Sequence, residues 1–165
     1  DGMLEAAIAE SPIAQRLLAG SEKLWPGRAT GDYSYRVRDI VGNGWLAIGD
    51  SGGFIDPLFS TGAHLAFVGG KLGADAINDA LTAQDVSAAR FDAWKGTMQR
   101  GLELFVGAVQ AFYAGNLVKY LFVADSRNYL RRAITSMLTG DVFEETPWTN
   151  DLRTRIPKLS AAVLE

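Results

Sequence analysis

Apolar positions recur every three or four residues along most of this chain, alternate with polar ones over one short stretch and run together in another. The pattern predicts a few strands followed by a mainly helical region. Leu4, Ala7, Ile8, Ile13 and Leu17 follow helical spacing over residues 2–18, interrupted at Pro12, which predicts one or two short helices. Pro26-Gly27 marks a turn. From Asp32 to Ile40 the chain alternates, with Tyr33, Tyr35 and Val37 on one side and Ser34, Arg36 and Arg38 on the other, which predicts a strand. Gly42-Asn43-Gly44 then turns the chain into a second strand, Trp45 to Ile48.

Beyond the strands the period is helical. One helix is predicted from Ser60, a good N-cap, to about Leu81. It contains Gly62, Gly69, Gly70 and Gly73, each costing roughly 1 kcal/mol against Ala, so it is expected to lie close against a neighbouring element. Gln84-Asp85-Val86 separates it from a long helix, Ser87 to Tyr113, with Phe91, Trp94, Met98, Leu102, Phe105, Val109 and Phe112 on one face. Gly115-Asn116 breaks that helix, and another runs from about Leu117 to Leu138, ended by Thr139-Gly140-Asp141. The tail, with Pro147 and Pro157, is predicted irregular with a short helix at its end. The fold class is α+β, with a few strands from a larger sheet in a region over residues 1–82, followed by a mainly helical C-terminal region over 83–165.

Composition narrows the function classes. The 165 residues make one ordinary domain by length, 48% hydrophobic, with 16 basic and 19 acidic side chains and no basic stripe, so nucleic acid is not expected as a partner. There is no cysteine, which excludes disulfides and thiolate chemistry, and a single histidine leaves no cluster for zinc. The uncharged stretch from Leu104 to Val118 is too short to span a bilayer, and no basic segment followed by an apolar run marks a signal peptide. A cytoplasmic protein without a membrane span is the expectation.

The chemistry concentrates in residues 45–66. A short strand ends at Gly49-Asp50, a Gly-rich turn leads to Asp56-Pro57, and Ser60-Thr61-Gly62 opens the helix. A carboxylate just past a strand is placed to accept hydrogen bonds from ligand hydroxyls. The first amides of the helix point outward at its positive end, where they hold an anion or a negatively charged ring. Pro57 fixes φ and holds Ile55-Asp56 extended, and Gly62 lets a flat ring approach without a side chain in the way. His64, one turn into the helix, reads first as a packed, hydrogen-bonded residue and second as a group acting beside the ligand. Phe105, Phe112, Tyr113 and Tyr120 form an aromatic stripe, read mainly as core and alternatively as the lining of an aromatic substrate's pocket.

The block from Gly49-Asp50 through Asp56-Pro57 to Ser60-Thr61-Gly62-Ala63-His64-Leu65-Ala66 resembles the second FAD-binding segment of the flavoprotein monooxygenase superfamily, in the spelling of its flavin-dependent halogenases. Asp32-Tyr33-Ser34-Tyr35-Arg36, Phe112-Tyr113 and Leu138-Thr139-Gly140-Asp141-Val142-Phe143 fit the same branch. The resemblance implies FAD contacts at Gly49, Asp50, Asp56, Pro57, Gly62 and Ala63, and a chloride site at Thr61 and Gly62. It places Phe59, Phe112 and Tyr113 in the substrate pocket. It implies an enzyme that uses reduced FAD, oxygen and chloride, with a separate flavin reductase as partner. Phe59 stands where tryptophan-type halogenases carry a glutamate, which turns the expectation toward a small phenol- or pyrrole-type substrate, tethered to a carrier protein in some members. The superfamily's first FAD motif, the Trp-x-Trp-x-Ile-Pro motif and the active-site lysine are absent from these residues. The chain therefore looks like the C-terminal part of a longer enzyme, expected to be inactive alone. The alternatives are an FAD-dependent hydroxylase or reductase of the same superfamily, and a non-catalytic helical binding module.

Overall fold

The computed structural model of the protein describes residues 2–29, 31, 34–121 and 129–161. It divides into two compact units, residues 1–32 and 33–165. In the first, helices α1 (Gly2–Glu10) and α2 (Pro12–Leu18) meet at Ser11, whose hydroxyl accepts from the Ala14 amide at 3.2 Å while Pro12 takes the first helical position. The predicted pair of short helices around Pro12 is what forms.

The second unit begins with four two-residue strands. β1 (Tyr35–Arg36) pairs antiparallel with β4 (Gly53–Phe54), and β2 (Val41–Gly42) pairs with β3 (Trp45–Leu46). The second pair is a hairpin closed by Asn43-Gly44, with Gly44 at φ +78° as such a turn requires. The long first strand predicted from the alternation does not form. Asp32 and Tyr33 lie outside the described residues, and beyond Arg36 the chain leaves the strand and bends at Arg38 and Ile40. The reason is the partner: Arg36 pairs with Gly53, the first residue of β4, and the 3-10 turn before Gly53 offers no further ladder to Val37. Among the described residues the strands form two separate two-stranded sheets within a mainly helical structure.

Helix α3 (Gly62–Thr82) follows, then a 3-10 turn at Ala88–Phe91, α4 (Asp92–Tyr113), α5 (Asn116–Leu121), α6 (Tyr129–Leu138) and α7 (Pro147–Ala161). Residues 122–128, inside the helix predicted from Leu117 to Leu138, lie outside the described residues. Asp85 fixes the turn into the 3-10 segment that precedes α4. Its carboxylate accepts from the Ser87 amide at 3.0 Å and from Arg90 at 3.1 Å, and the Ser87 bond first of all holds its pKa below the ordinary value. Gly115 at φ +74° ends the α4 register as expected.

Two predictions are corrected here. Ser60 is not the N-cap of α3: it sits at φ 54°, ψ 36° as the last residue of the preceding 3-10 turn, and Thr61 is the cap residue. The proline-bearing tail is not irregular, because Thr146 and Thr149 exchange bonds across its start and Pro147 occupies the first helical position. Leu152 and Ile156 then bury one face of α7.

Two hydrophobic clusters hold this unit. Leu65, Leu104, Phe105, Ala108, Leu117, Ile134, Met137, Val142, Leu152 and Ile156 join α3 to α4–α7. Ile40, Val41, Ala80, Phe91 and Trp94 join the hairpin to α3 and α4. The glycines of α3 are the contact surface expected of them at two positions. A Cβ on Gly73 would meet Ile48, Leu46 and Trp94 at 3.2–3.3 Å, and one on Gly69 would meet Met98 at 3.0 Å. The buried Trp94 Nε1 donates to the Gly69 carbonyl at 3.0 Å. No described helix is long and apolar enough to cross a membrane.

Candidate functional site

The strand β3 delivers the chain to Gly49, which adopts φ +62° with its Cβ direction only 3.1 Å from the Ala66 side chain of α3. Only glycine combines that turn with that proximity. A 3-10 turn over Gly49–Gly52 then carries Asp50 outward, where its carboxylate is exposed, while its carbonyl accepts a bond from the Tyr35 hydroxyl. Gly53, at φ +149°, returns the chain into β4.

Asp56 closes the next turn. Its Oδ1 accepts from the Leu58 amide at 3.0 Å and its Oδ2 from the Tyr113 hydroxyl at 2.9 Å, while its own amide donates to Ser34 Oγ at 2.9 Å. Pro57 starts the 3-10 turn Pro57–Phe59, and Ser60 then takes a left-handed conformation that costs an L-residue about 1–2 kcal/mol. That strained residue aims the chain into α3. The Thr61 side chain makes no cap bond there. The first amides of a helix have no carbonyl partner within it, so this N-terminus keeps its donors for a ligand or water. Gly62 and Ala63 are exposed, and nothing lies within 4 Å of where a Cβ on Gly62 would stand.

These segments enclose one side of a cavity of about 400 Å³. Gly49, Asp50, Pro57 and Gly62 line it together with Trp94, Met98 and Leu102 of α4, and Arg36, Arg38 and Glu103 stand among its polar residues. Arg36 approaches Glu103 to 3.8 Å. The α4 residues were legible only as an apolar helix face. Their spacing of four along one helix is the sequence signal, but it does not separate a core from a cavity wall.

Thr61, Ala63 and Asp56 adjoin the cavity residues in sequence without lining the cavity. Phe59, Phe112 and Tyr113 are also absent from its wall and form a group of their own. Phe112 packs edge-on against Phe59 at 5.9 Å and against Tyr113 at 6.0 Å between ring centroids. Phe105 is buried in the core, and the Tyr120 side chain lies outside the described residues. His64 faces away from the cavity: Nε2 bonds the Gly140 carbonyl at 3.1 Å and the ring packs on Phe143 at 5.5 Å. The packed reading of this histidine holds. Among the described residues no group of three His, Cys, Asp or Glu is arranged to hold a metal.

The profile of the tryptophan halogenase family matches residues 9–119. The chain belongs to this family. It is 30% identical over 126 residues to a 1H-pyrrole-2-carbonyl-(peptidyl-carrier protein) chlorinase of Pseudomonas fluorescens, covering 76% of this chain and 28% of that protein. It is 30% identical over 135 residues to a tryptophan 2-halogenase of Chondromyces crocatus, covering 80% and 26%. Among solved structures it is similar to the flavin-dependent brominase Bmp2, with a TM-score of 0.75 and 26% identity over 94% of this chain and 39% of that one. The chain thus spans between about a quarter and two fifths of the length of these halogenases. The halogenase-family resemblance read from residues 49–66 is confirmed.

Proposed function

We propose that this chain supplies part of the flavin and halide site of a flavin-dependent halogenase acting on an electron-rich aromatic of phenol or pyrrole type. The observation that carries this reading is the shared cavity, which Asp50 of the 3-10 turn and Gly62 at the start of α3 both line. The residues suit FAD. Asp50 offers an exposed acceptor for hydroxyls, Gly62 leaves room for a flat ring, and Pro57 sits between them. Gly49, Asp50, Asp56, Pro57, Gly62 and Ala63 would hold the cofactor, and the Thr61 and Gly62 amides would hold chloride at the positive end of α3.

Reduced FAD with oxygen, when bound, would supply the two-electron oxidation of the halide to hypohalous acid, whose halogen replaces a ring hydrogen with release of water. The chain's own contribution is binding and electrostatics. The backbone amides fix the anion, and the apolar wall of Trp94, Met98 and Leu102 limits water. Reduced flavin would come from a separate reductase. Phe59 in place of a glutamate, together with a relative named for carrier-bound pyrrole, favours a carrier-tethered substrate over free tryptophan.

Titration of the whole protein with FAD, followed by flavin fluorescence, tests the cofactor assignment. Asp50→Ala is expected to weaken binding about tenfold, the loss of one hydrogen bond to a charged acceptor. An unchanged affinity would remove Asp50 from the cofactor site.

A further inference from the structure

The geometry points to Tyr113 as a positioning residue for the start of α3 rather than as a wall of a substrate pocket. This inference rests on the reading of Thr61 and Gly62 as the halide-holding amides. Asp56 ties together three parts of the chain that are far apart in sequence. Its amide reaches Ser34, its Oδ1 takes the Leu58 amide, and its Oδ2 takes the Tyr113 hydroxyl from 57 residues away. Tyr113 is the last residue of α4, and its neighbour Phe112 packs edge-on against Phe59. The end of α4 therefore grips the Pro57–Phe59 turn at both ends, by a hydrogen bond before it and a ring contact after it.

The next residue explains why that grip matters. Ser60 holds a left-handed conformation, and it alone links the gripped turn to Thr61 and Gly62. A strained residue keeps its conformation only while its flanks are fixed. Relaxation of Ser60 would change the direction in which the Thr61 and Gly62 amides leave the turn. Tyr113 is itself 65% exposed and stands outside the cavity wall, so its ring is not needed there.

The test is Tyr113→Phe in the whole protein, which keeps the ring and removes the hydroxyl. Two readouts are taken: hydrogen exchange of the segment 57–62, and the split between KM for chloride and kcat. Exchange across 57–62 is expected to speed up at least fivefold while the buried face of α4 around Phe105 and Ala108 is unaffected. KM for chloride is expected to rise about fivefold, by a larger factor than kcat falls. Asp56→Asn, which keeps a carbonyl acceptor and shortens nothing, should show a smaller change in both. Unchanged exchange in Tyr113→Phe would overturn the positioning role. Faster exchange with KM for chloride unmoved would overturn its link to the halide amides. A whole protein that needs no halide would instead sink the functional reading, and the exchange readout would still decide the positioning role on its own.

Discussion

Ser60 and Gly140 are two left-handed residues with opposite consequences. Ser60 carries a Cβ in a conformation that disfavours one, so Ser60→Gly is expected to stabilise the fold by about 1 kcal/mol in denaturant unfolding. Gly140 sits at φ +101° with its Cβ direction 2.7 Å from the His64 ring, so Gly140→Ala combines backbone strain with a clash and is expected to destabilise by about 2 kcal/mol or more. A stabilising Gly140→Ala would mean that the His64 bond to the Gly140 carbonyl does not hold α3 to the end of α6. At this scale the sequence was legible where a residue's role is local. Gly49, Asp50 and Pro57 lie within nine residues of one another and reach the same cavity because short turns place them. The bond between Tyr113 and Asp56 and the contact between His64 and Gly140 span 57 and 76 residues, and no local pattern encodes such pairs.

Helices declare themselves through their period, but their ends and partners depend on competing signals. Ser60 looked like a cap because of its residue type, yet Asp56 and Pro57 had already begun a 3-10 turn that consumed it. The strand predicted over Asp32 to Ile40 was cut short because its partner β4 starts only at Gly53, after a 3-10 turn. In α7 the signal was present and outweighed: two prolines suggested an irregular tail with only a short helix at its end, while Thr146-Pro147 with Thr149 is itself a helix start. The glycines of α3 separate by environment. Gly70 has open space where a Cβ would stand, so Gly70→Ala is expected to gain up to about 1 kcal/mol of stability from helix propensity. Gly73→Ala meets Ile48, Leu46 and Trp94 and is expected to lose that gain. Denaturant midpoints of the two variants measure the difference, and equal gains would mean that α3 does not rest on β3 and α4 through Gly73.

For the molecule as a whole, family membership was legible because its most specific block is contiguous, from Gly49 to Ala66, and each part has a local physical reason. The substrate was not legible to the same degree. Phe59, Phe112 and Tyr113 cluster at the end of α4 instead of lining the cavity, and relatives of similar identity are named for pyrrole and for tryptophan substrates. Composition could not have resolved this, since an aromatic stripe serves a core and a pocket equally well. The cavity beside Asp50 and the start of α3 is proposed above as the flavin and halide site of a halogenase. The most direct measurement is product mass from the whole protein given reduced FAD, oxygen and a carrier-bound pyrrole, with and without chloride. A product carrying the chlorine isotope pattern, formed only when chloride is present and diminished in Asp50→Ala at limiting FAD, is the predicted result. A hydroxylated product, formed equally well without halide, would contradict the account.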